Sequence, residues 1–396
     1  MSMAMPEIKT GGEGWGYTEE EWLFRKNLRK FCEEKIDPRF RESFTEEQSK
    51  VFYHEAMQQL GEQGFLRVWV PEAFGGYGQR LTSEMILTEE VSRANGGLAI
   101  NAMENGVLGT NMARASKAAW EKYGEDILSG KKILAAAMCS PEGQCNYTEQ
   151  ADLARLEGEE WVLNGEKAYS SGGTLADVLM VAGMVNGTQY RWIMEPDTPG
   201  LTITANPEMG TTPSYATLTL NNVRIPKEMA GPSNLVIDKK PNVSIPSRAF
   251  PLMVCALAMG SMGACFDKTV EYLKHRTSDF KPIASLGSIQ YKLAKMNSEI
   301  EAARSIMIMA TQHLENNHKD GLLYVALAKR FVCDTARAIT SECVQMHGCV
   351  GYNPETGIER YARDAMGFGI GVCTSDMHLV SAAKYMGLPG AEWECM

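Results

Sequence analysis

The sequence predicts an α+β protein that is mostly helical, with an N-terminal helical domain, a central antiparallel β-domain and a C-terminal four-helix bundle. Three observations predict this order. The first third of the chain has a helix-capping motif and apolar residues at helical spacing. Short alternating runs with Asn-Gly turns follow, and after them comes a long apolar heptad. We place the domains at residues 1–131, 132–236 and 237–396.

The N-terminal domain is predicted to start with a helix at Thr18. Thr18 and Glu21 have the spacing of a capping box, and Phe24 and Leu28 follow at helical spacing. A second helix is predicted to start at Thr45, because Gln48 lies three residues after it. Further helices are predicted over 84–93 and 113–128.

The central domain begins near Lys132, where the period of the apolar residues changes from helical to alternating. This pattern continues to about Pro226, and Asn164-Gly165 and Asn186-Gly187 predict two hairpin turns. Five short strands are predicted at 161–163, 178–181, 190–194, 201–204 and 216–220. We therefore expect a small antiparallel domain, either a barrel or a sandwich.

The C-terminal domain has the strongest helical pattern in the chain. Apolar residues alternate spacings of four and three at Ile289, Leu293, Met296, Ile300, Ala303, Met307, Ala310 and Leu314. This heptad predicts a long helix in a bundle with left-handed packing. Further long helices are predicted over 250–266 and 322–347. The uncharged run 250–266 is short for a bilayer span, so we interpret it as a buried core helix.

The composition limits the possible partners. A formal charge of −10 argues against nucleic acid or an anionic membrane as the main partner. The ten cysteines include no C-x-x-C pair and the histidines have no ligand spacing, so no metal site is predicted and free thiols are expected. No G-x-G-x-x-G follows a strand and no P-loop is present. The N-terminus has no apolar run typical of a signal peptide, and we expect a cytoplasmic protein.

Six local motifs occur in a fixed order along the three domains. They are Pro71-Glu72-x-x-Gly75-Gly76, the segment from Ala137 to Asn146, Asn164-Gly165-Glu166-Lys167, Asn222-Val223-Arg224-Ile225-Pro226, Gln345…Gly348…Gly351-Tyr352 and Arg363-Asp364-Ala365. Together they resemble the motifs of the acyl-CoA dehydrogenase family, and the resemblance covers essentially the whole chain. No single motif is decisive, but six in this order are specific.

The resemblance implies that FAD lies between the sheet domain and the bundle, with a second subunit completing the site. Ser171 takes the place of a threonine near flavin N5, and Tyr169 that of a tryptophan beside the ring. Arg276 matches an arginine that reaches the neighbouring subunit's FAD, and Thr374 matches a threonine at the phosphates. The implied cofactor-binding residues are Met138, Cys139, Cys145, Tyr169, Ser171, Arg276, Phe280, Gln345, Gly348, Cys349, Thr374 and Asp376.

The chain lacks one residue that the family's chemistry requires. Dehydrogenation of an acyl thioester needs a carboxylate that takes the α proton while a hydride passes to flavin N5. Val372 stands where most family members have this glutamate, and Phe250 stands at the alternative position used by some members. Both usual positions of the base are therefore apolar.

Three explanations remain open for this gap. Glu104 matches a position that lines the acyl pocket in medium-chain members, and as the base it would reach a carbon beyond Cα; its alternative role is that of a polar residue in the pocket or on an exposed helix. The enzyme could instead resemble the family's desulfinases, which abstract no α proton. It could also work as an enoyl-CoA reductase, which still needs a proton donor. The alternative to an enzyme is a non-catalytic protein that binds flavin or CoA.

The resemblance also predicts where substrate and partners bind. Arg248 is a candidate contact for the CoA phosphates, while Phe250, Gly371 and Val372 would lie near the acyl group. The small residues Gly371 and Val372 suggest extra room near Cα, suited to a branched or cyclic acyl chain. We expect an FAD-dependent acyl-CoA oxidoreductase that forms a homotetramer and exchanges electrons with an electron-transferring flavoprotein.

Overall fold

A computed structural model describes residues 16–141, 152–206, 209–210, 215–232 and 245–393. The helices are α1 Glu19–Phe31, α2 Glu46–Glu62, α3 Leu81–Ala94, α4 Gly96–Ala115, α5 Lys117–Leu128, α6 Ile245–His275, α7 Gly287–Glu315, α8 Gly321–His347, α9 Cys349–Tyr352, α10 Ile358–Ile370 and α11 Ser375–Tyr385. The strands are β1 Leu134–Ala137, β2 Ala154–Glu157, β3 Glu160–Ser170, β4 Val178–Val185, β5 Thr188–Met194, β6 Leu201–Asn206, β7 Tyr215–Pro226, β8 Ala230–Pro232, β9 Thr277–Ser278 and β10 Lys281–Pro282.

The predicted start of α1 is confirmed. The Glu21 backbone N–H donates to Thr18 Oγ1 at 3.1 Å, and the Thr18 N–H donates to Glu21 Oε2 at 2.8 Å, so the capping box is complete. The helix predicted over 113–128 is wrong at its start, because α4 continues to Ala115. Ser116 then caps α5 by accepting the Ala119 N–H at 3.0 Å, which separates the two helices.

The predicted strands are confirmed, and they form two four-stranded sheets. The strand orders are β1-β4-β5-β8 and β2-β3-β7-β6. One side of the first sheet, including Leu179 and Trp192, packs against the second sheet. Its opposite side, including Met180 and Ile193, packs against Leu108 on α4. The domain is thus a β-sandwich whose first sheet packs against α4. The β1–β4 pair is parallel, so the expectation of a purely antiparallel domain was wrong in this pair.

Only one of the two predicted Asn-Gly hairpins is present. Asn186 and Gly187 both have positive φ angles, 48° and 76°, and connect β4 to β5 as predicted. Asn164 and Gly165 instead lie inside β3, where the register with β7 shifts between Leu163 and Gly165. Gly165 has φ 142°, so this Asn-Gly pair marks a β-bulge and the prediction of a turn there was wrong.

The long C-terminal helices pack around α6. The predicted heptad is confirmed as α7, and its members from Met296 to Leu314 are buried. In the described part of the chain, Arg248–His275 has the length and hydropathy of a membrane span, but 94% of its most apolar window is buried inside the protein. This burial is that of a core helix, as the sequence indicated.

Candidate active site

The sheet side of the candidate site is built by the ends of β1 and β3. Lys167 is buried and its Nζ donates to Ser140 Oγ at 2.9 Å, while the Ala168 N–H donates to the Cys139 carbonyl at 2.9 Å. These bonds hold the segment Met138–Ser140 beside β3. Tyr169 lies on the exposed side of this strand end, with 67% of its surface accessible and φ 54°. The structure therefore brings Met138, Cys139, Tyr169 and Ser171 together.

A second group of predicted cofactor residues meets at one end of the bundle. The Tyr272 and His347 rings stack with centroids 4.3 Å apart, which joins the ends of α6 and α8. Arg276 lies one turn after Tyr272, and Gly348 follows His347 directly. Gln345, Gly348, Cys349, Arg276 and Phe280 are all exposed there. Most of the described cofactor residues thus fall into a sheet-side group and a bundle-end group, while Thr374 and Asp376 lie at the start of α11.

Gly348 has a backbone conformation that side chains exclude. Its φ is 60° and its ψ is −142°, in a region that is essentially restricted to glycine. A Cβ at this position would meet nothing within 4 Å, so the residue borders open space. Gly351 has a different constraint, since its Cβ would lie 2.6 Å from the Val344 carbonyl oxygen. At Gly348 the backbone of the turn is therefore open to a ligand, with no side chain in between.

The loop at the usual base position is strained. Val372 has φ 54° and Cys373 φ 66°, and a β-branched residue in the left-handed region is a conformational outlier. Gly371 and Val372 are half-buried. Thr374 caps α11 by accepting the Met377 N–H, and Thr374 and Asp376 are exposed at the start of that helix. Outliers of this kind persist only where surrounding contacts hold them.

Two buried side chains that the sequence analysis missed hold this loop. Lys329 is fully buried in α8, and its Nζ donates to the Phe368 carbonyl at 2.8 Å and to the Cys373 carbonyl at 3.5 Å. His378 Nε2 donates to the Val372 carbonyl at 2.9 Å, and burial lowers the pKa of His378 to about 4, so the ring is neutral. A lysine within the apolar face of α8 was the available sequence signal.

The two substrate candidates at the start of α6 lie differently. Arg248 is exposed, whereas Phe250 is half-buried. Phe250 packs against both the helical core and the cluster between α4 and the first sheet. It therefore lies where the sheet domain meets the helices, in the same cluster environment as Met138.

Glu104 lies on a buried face of α4. Only 6% of the residue is accessible, and among the described residues its Oε2 has no hydrogen-bond partner. Burial raises the pKa of Glu104 well above its ordinary value, and no cation offsets this effect within the described chain. Burial thus favours the protonated form of the Glu104 carboxyl. The alternative of an exposed helix position is wrong.

Glu84 on α3 is a second carboxyl of this kind, and no sequence pattern indicated it. It is 1% accessible, and burial raises its pKa to about 8. Its Oε2 lies 3.8 Å from where a Cβ would stand on Gly106. Gly106 and Glu104 are two positions apart on α4 and therefore point to opposite sides of that helix.

The Glu84 carboxyl predicts a pH-dependent stability. A carboxyl whose folded pKa exceeds its unfolded pKa binds more protons when folded, so stability falls as pH rises between the two values. From pH 6 to pH 8 the wild type should lose about 2 kcal/mol of unfolding free energy through this group. Glu84→Gln should remove that loss. Urea unfolding at both pH values measures it; equal pH dependence in both proteins would contradict the prediction.

Two of the sequence predictions concern cysteines with different outcomes. Cys145 lies outside the described residues. Cys373 is buried and disulfide-bonded, so the expectation of free thiols throughout was wrong for this residue. The described cysteines that are free are Cys32, Cys139, Cys255, Cys265, Cys333, Cys343 and Cys349.

The donors of the two groups fit a flavin dinucleotide. The bundle-end group offers the Arg276 guanidinium, the Gln345 amide and the open backbone at Gly348, which suit a diphosphate. The sheet-side group offers the Ser171 hydroxyl and the exposed Tyr169 ring, which suit a flat heteroaromatic system. The two groups contain no carboxylate, and Asp376 lies apart from them at the start of α11.

Family models match both helical parts of the chain. The N-terminal domain of acyl-CoA dehydrogenase matches residues 18–131, and the C-terminal domain of acyl-CoA dehydrogenase matches residues 251–387. A 3-(aryl)acrylate reductase of Clostridium sporogenes is 29% identical over 382 residues, covering 93% of this chain and 98% of the reductase.

Solved structures with the same fold cover almost the whole chain. Butyryl-CoA dehydrogenase from Megasphaera elsdenii superposes with a TM-score of 0.80 at 26% identity, covering 93% of this chain and 98% of that chain. A glutaryl-CoA dehydrogenase from Mycobacterium smegmatis, in complex with FADH2, gives a TM-score of 0.83 at 20% identity and covers 96% of this chain and 97% of that one. The predicted arrangement of helices, sheets and helices is confirmed.

Proposed function

Because the chain belongs to the acyl-CoA dehydrogenase family, and is therefore an FAD-dependent acyl-CoA oxidoreductase, we propose that Glu104 carries its proton transfer in place of the missing glutamate. The observation that supports this assignment is the buried Glu104 carboxyl, which has no partner for Oε2 among the described residues. Burial of such a group is unfavourable unless it serves a ligand or a reaction.

The raised pKa of Glu104 favours one direction of reaction. Burial favours the protonated form of this carboxyl, which is a proton donor, and a proton donor is what reduction of an enoyl-CoA requires. Bound FAD, when reduced, supplies the hydride. Glu104 gives its proton to the carbon of the double bond that does not receive the hydride, and the saturated thioester leaves. In a 2-enoyl thioester this carbon is Cα, and not the more distant carbon that the resemblance suggests for Glu104. The acrylate reductase among the relatives supports this direction.

The remaining residues bind and orient. The Ser171 hydroxyl and the Tyr169 ring hold the flavin ring on the sheet side. Gln345, Gly348 and Arg276 hold the diphosphate, and Arg248 meets the phosphates of CoA. Val372 and Gly371 leave room beside the reacting carbons. Lys329 and His378 keep the strained loop around Val372 in place through its carbonyl groups.

We assign the sheet-side group and the bundle-end group of one FAD site to different subunits. Arg276 and Phe280 project from the surface of a single chain, and Phe280 has no measurable burial. An aromatic residue in this position is unfavourable in water and suits an interface. We further propose that the enzyme is a cytoplasmic homotetramer and that it receives its electrons from an electron-transferring flavoprotein.

Reoxidation of the reduced flavin tests the proposed function. Anaerobic protein reduced with dithionite should regain its yellow colour when an enoyl-CoA thioester that it accepts is added. In heavy water, mass spectrometry should find the saturated acyl-CoA with deuterium at both carbons of the former double bond, because the N5–H of a reduced flavin and the Glu104 carboxyl both exchange with solvent. Yellow protein that no enoyl-CoA reoxidises and no acyl-CoA bleaches would favour a binding protein without turnover.

Gly348→Ala tests the diphosphate site. Alanine at this φ and ψ costs about 1–3 kcal/mol, so the turn should relax and FAD affinity should fall about 5- to 150-fold. Gly367→Ala is the matched control, because Gly367 lies inside α10, its Cβ would meet nothing within 4 Å, and its φ is not positive. Fluorescence titration of FAD into apoprotein measures both. Equal affinities in the two variants would contradict the assignment.

A further inference from the structure

Asn101 is a buried amide on α4 with nothing to bind. Its accessible surface is 0%, and among the described residues neither Oδ1 nor Nδ2 has a hydrogen-bond partner. Buried polar side chains in native proteins nearly always have partners, so an amide with both ends unpaired requires an explanation. The proposed function does not use this residue.

Three other positions on α4, Asn105, Gly106 and Gly109, are already in contact with neighbouring elements. Asn105 Nδ2 donates to the Ile127 and Lys132 carbonyl groups, and its Oδ1 accepts the Leu134 N–H. The Gly106 side lies against Glu84, and the Gly109 side lies against Trp120.

Glu104, Asn105 and Leu108 lie three, four and seven residues after Asn101, so their side chains share one side of α4 with it. On this side Asn105 is already paired, whereas Asn101 and the Oε2 atom of Glu104 have no partner among the described residues. Leu108 packs in the cluster between α4 and the first sheet, which also contacts Met138 and Phe250. The unpaired amide therefore faces the junction between the sheet domain and the helices, on the same side as the Glu104 carboxyl.

The distance along the helix places Asn101 beyond the reacting atoms. Three residues advance a helix by roughly 4.5 Å. A substrate whose double bond lies at Glu104 therefore presents to Asn101 an atom several bonds away from that double bond. Asn101 is thus placed to contact a substrate atom away from the reacting carbons.

The chemistry of the amide limits what it recognises. Oδ1 only accepts hydrogen bonds and Nδ2 only donates them. A carboxylate would satisfy Nδ2 alone and would also lie near the carboxyl of Glu104. An ammonium group would satisfy Oδ1 alone. A hydroxyl both donates and accepts, so one hydroxyl satisfies both ends of the amide.

We propose that the acyl group of the substrate carries a hydroxyl, which donates to Asn101 Oδ1 and accepts from Asn101 Nδ2. This inference rests on the proposed function, since it deepens the substrate class of the same site. It predicts a chain of polar contacts along one face of α4, with the proton donor at Glu104 and the specificity-determining amide one turn before it.

Matched pairs of enoyl-CoA thioesters test the inference. We would compare 3-phenylacrylyl-CoA with its ring-hydroxylated forms, and straight-chain 2-enoyl-CoAs with forms hydroxylated at each carbon beyond the double bond. The readout is kcat/KM for reoxidation of the reduced flavin. The wild type should prefer a hydroxylated member over its parent by about 10- to 1,000-fold, because a site built around a hydroxyl discriminates strongly against its absence.

Two variants separate recognition from folding. Asn101→Leu has nearly the same shape and no polar atoms, so it should abolish the preference for the hydroxylated member over its parent. Leu108→Met lies on the same face and changes no polar group, so it should keep the preference.

The outcomes distinguish the two proposals. Turnover of parent compounds without preference for any hydroxylated member would overturn the hydroxyl inference and leave the proposed function intact. A preference that persists in Asn101→Leu would overturn the assignment to Asn101. No reoxidation of the wild type by any thioester would overturn the proposed function itself, and the inference with it.

Discussion

Replacing Glu104 by glutamine is expected to lower turnover by about 100- to 10,000-fold while FAD stays bound. Glutamine keeps the size of the side chain and its hydrogen-bonding capacity but cannot release a proton. Because Glu104 lies inside α4 and Oε2 has no partner in the described structure, the substitution breaks no hydrogen bond made by Oε2. Single-turnover reoxidation of the reduced flavin measures the chemical step, and the flavin spectrum reports whether the cofactor is retained.

Glu84→Gln is the matched control. Glu84 is also a buried carboxyl with a raised pKa, but it lies against Gly106, on the opposite side of α4. Its replacement should therefore leave the rate of reoxidation unchanged. If both variants lost activity equally, a general effect on the helix pair α3–α4 would explain the result and Glu104 would have no special role.

The pH profile provides a second readout. A proton donor works in its protonated form, so reduction should be fast below the pKa of Glu104 and should decline as pH rises through it. Because burial raises this pKa, the decline should fall well above the range of an ordinary carboxyl. Glu104→Gln should remove this limb from its residual rate. A profile that keeps the same limb in the variant would exclude Glu104 as its origin.

Local patterns predicted the architecture where the physical cause is itself local. The capping box at Thr18 and the heptad of α7 depend on neighbours three and four residues apart, and both are present. The Asn164-Gly165 prediction failed because the same dipeptide satisfies a bulge when a long partner strand runs past it. The sequence pattern predicted a strand only over 216–220, whereas β7 spans Tyr215–Pro226 and pairs with β3 on both sides of the bulge.

The candidate site was less accessible to sequence reasoning. Resemblance supplied positions for the flavin contacts, and the structure groups most of the described ones at two places, with Thr374 and Asp376 at a third. The polar atoms that matter most for the proposals were invisible as patterns. Glu84 and Asn101 have no motif or spacing that marks them in the sequence, and only the folded arrangement reveals whether such a group has a partner.

Glu89→Gln is expected to destabilise the protein by about 3–5 kcal/mol. The Glu89 carboxylate is 1% accessible. It accepts a hydrogen bond from Arg25 at 2.7 Å and one from each terminal nitrogen of Arg304 at 2.8 Å. Burial raises the pKa of this carboxyl, but the charges of Arg25 and Arg304 outweigh that effect and hold the pKa well below its ordinary range. A neutral amide would leave Arg304, which is fully buried, without a counter-charge among the described residues.

Two further variants show whether the cost arises from the buried charge. Glu55→Gln removes an ion pair with Arg39 whose carboxylate is half accessible, so it should cost less than about 1 kcal/mol. Glu89→Gln combined with Arg304→Met removes both opposite charges and should recover a large part of the stability lost in the single variant, since apolar replacement of a buried pair is often neutral. Urea unfolding of the three proteins at pH 7 measures the differences. A double variant less stable than the single one would mean that Arg304 contributes mainly through packing, and not through its charge.

The stability that Glu89 contributes also depends on pH. Because its folded pKa is lowered, this stability is present above the pKa of an unfolded carboxyl and is lost as pH falls through the folded pKa. The deficit of Glu89→Gln should therefore shrink in strong acid.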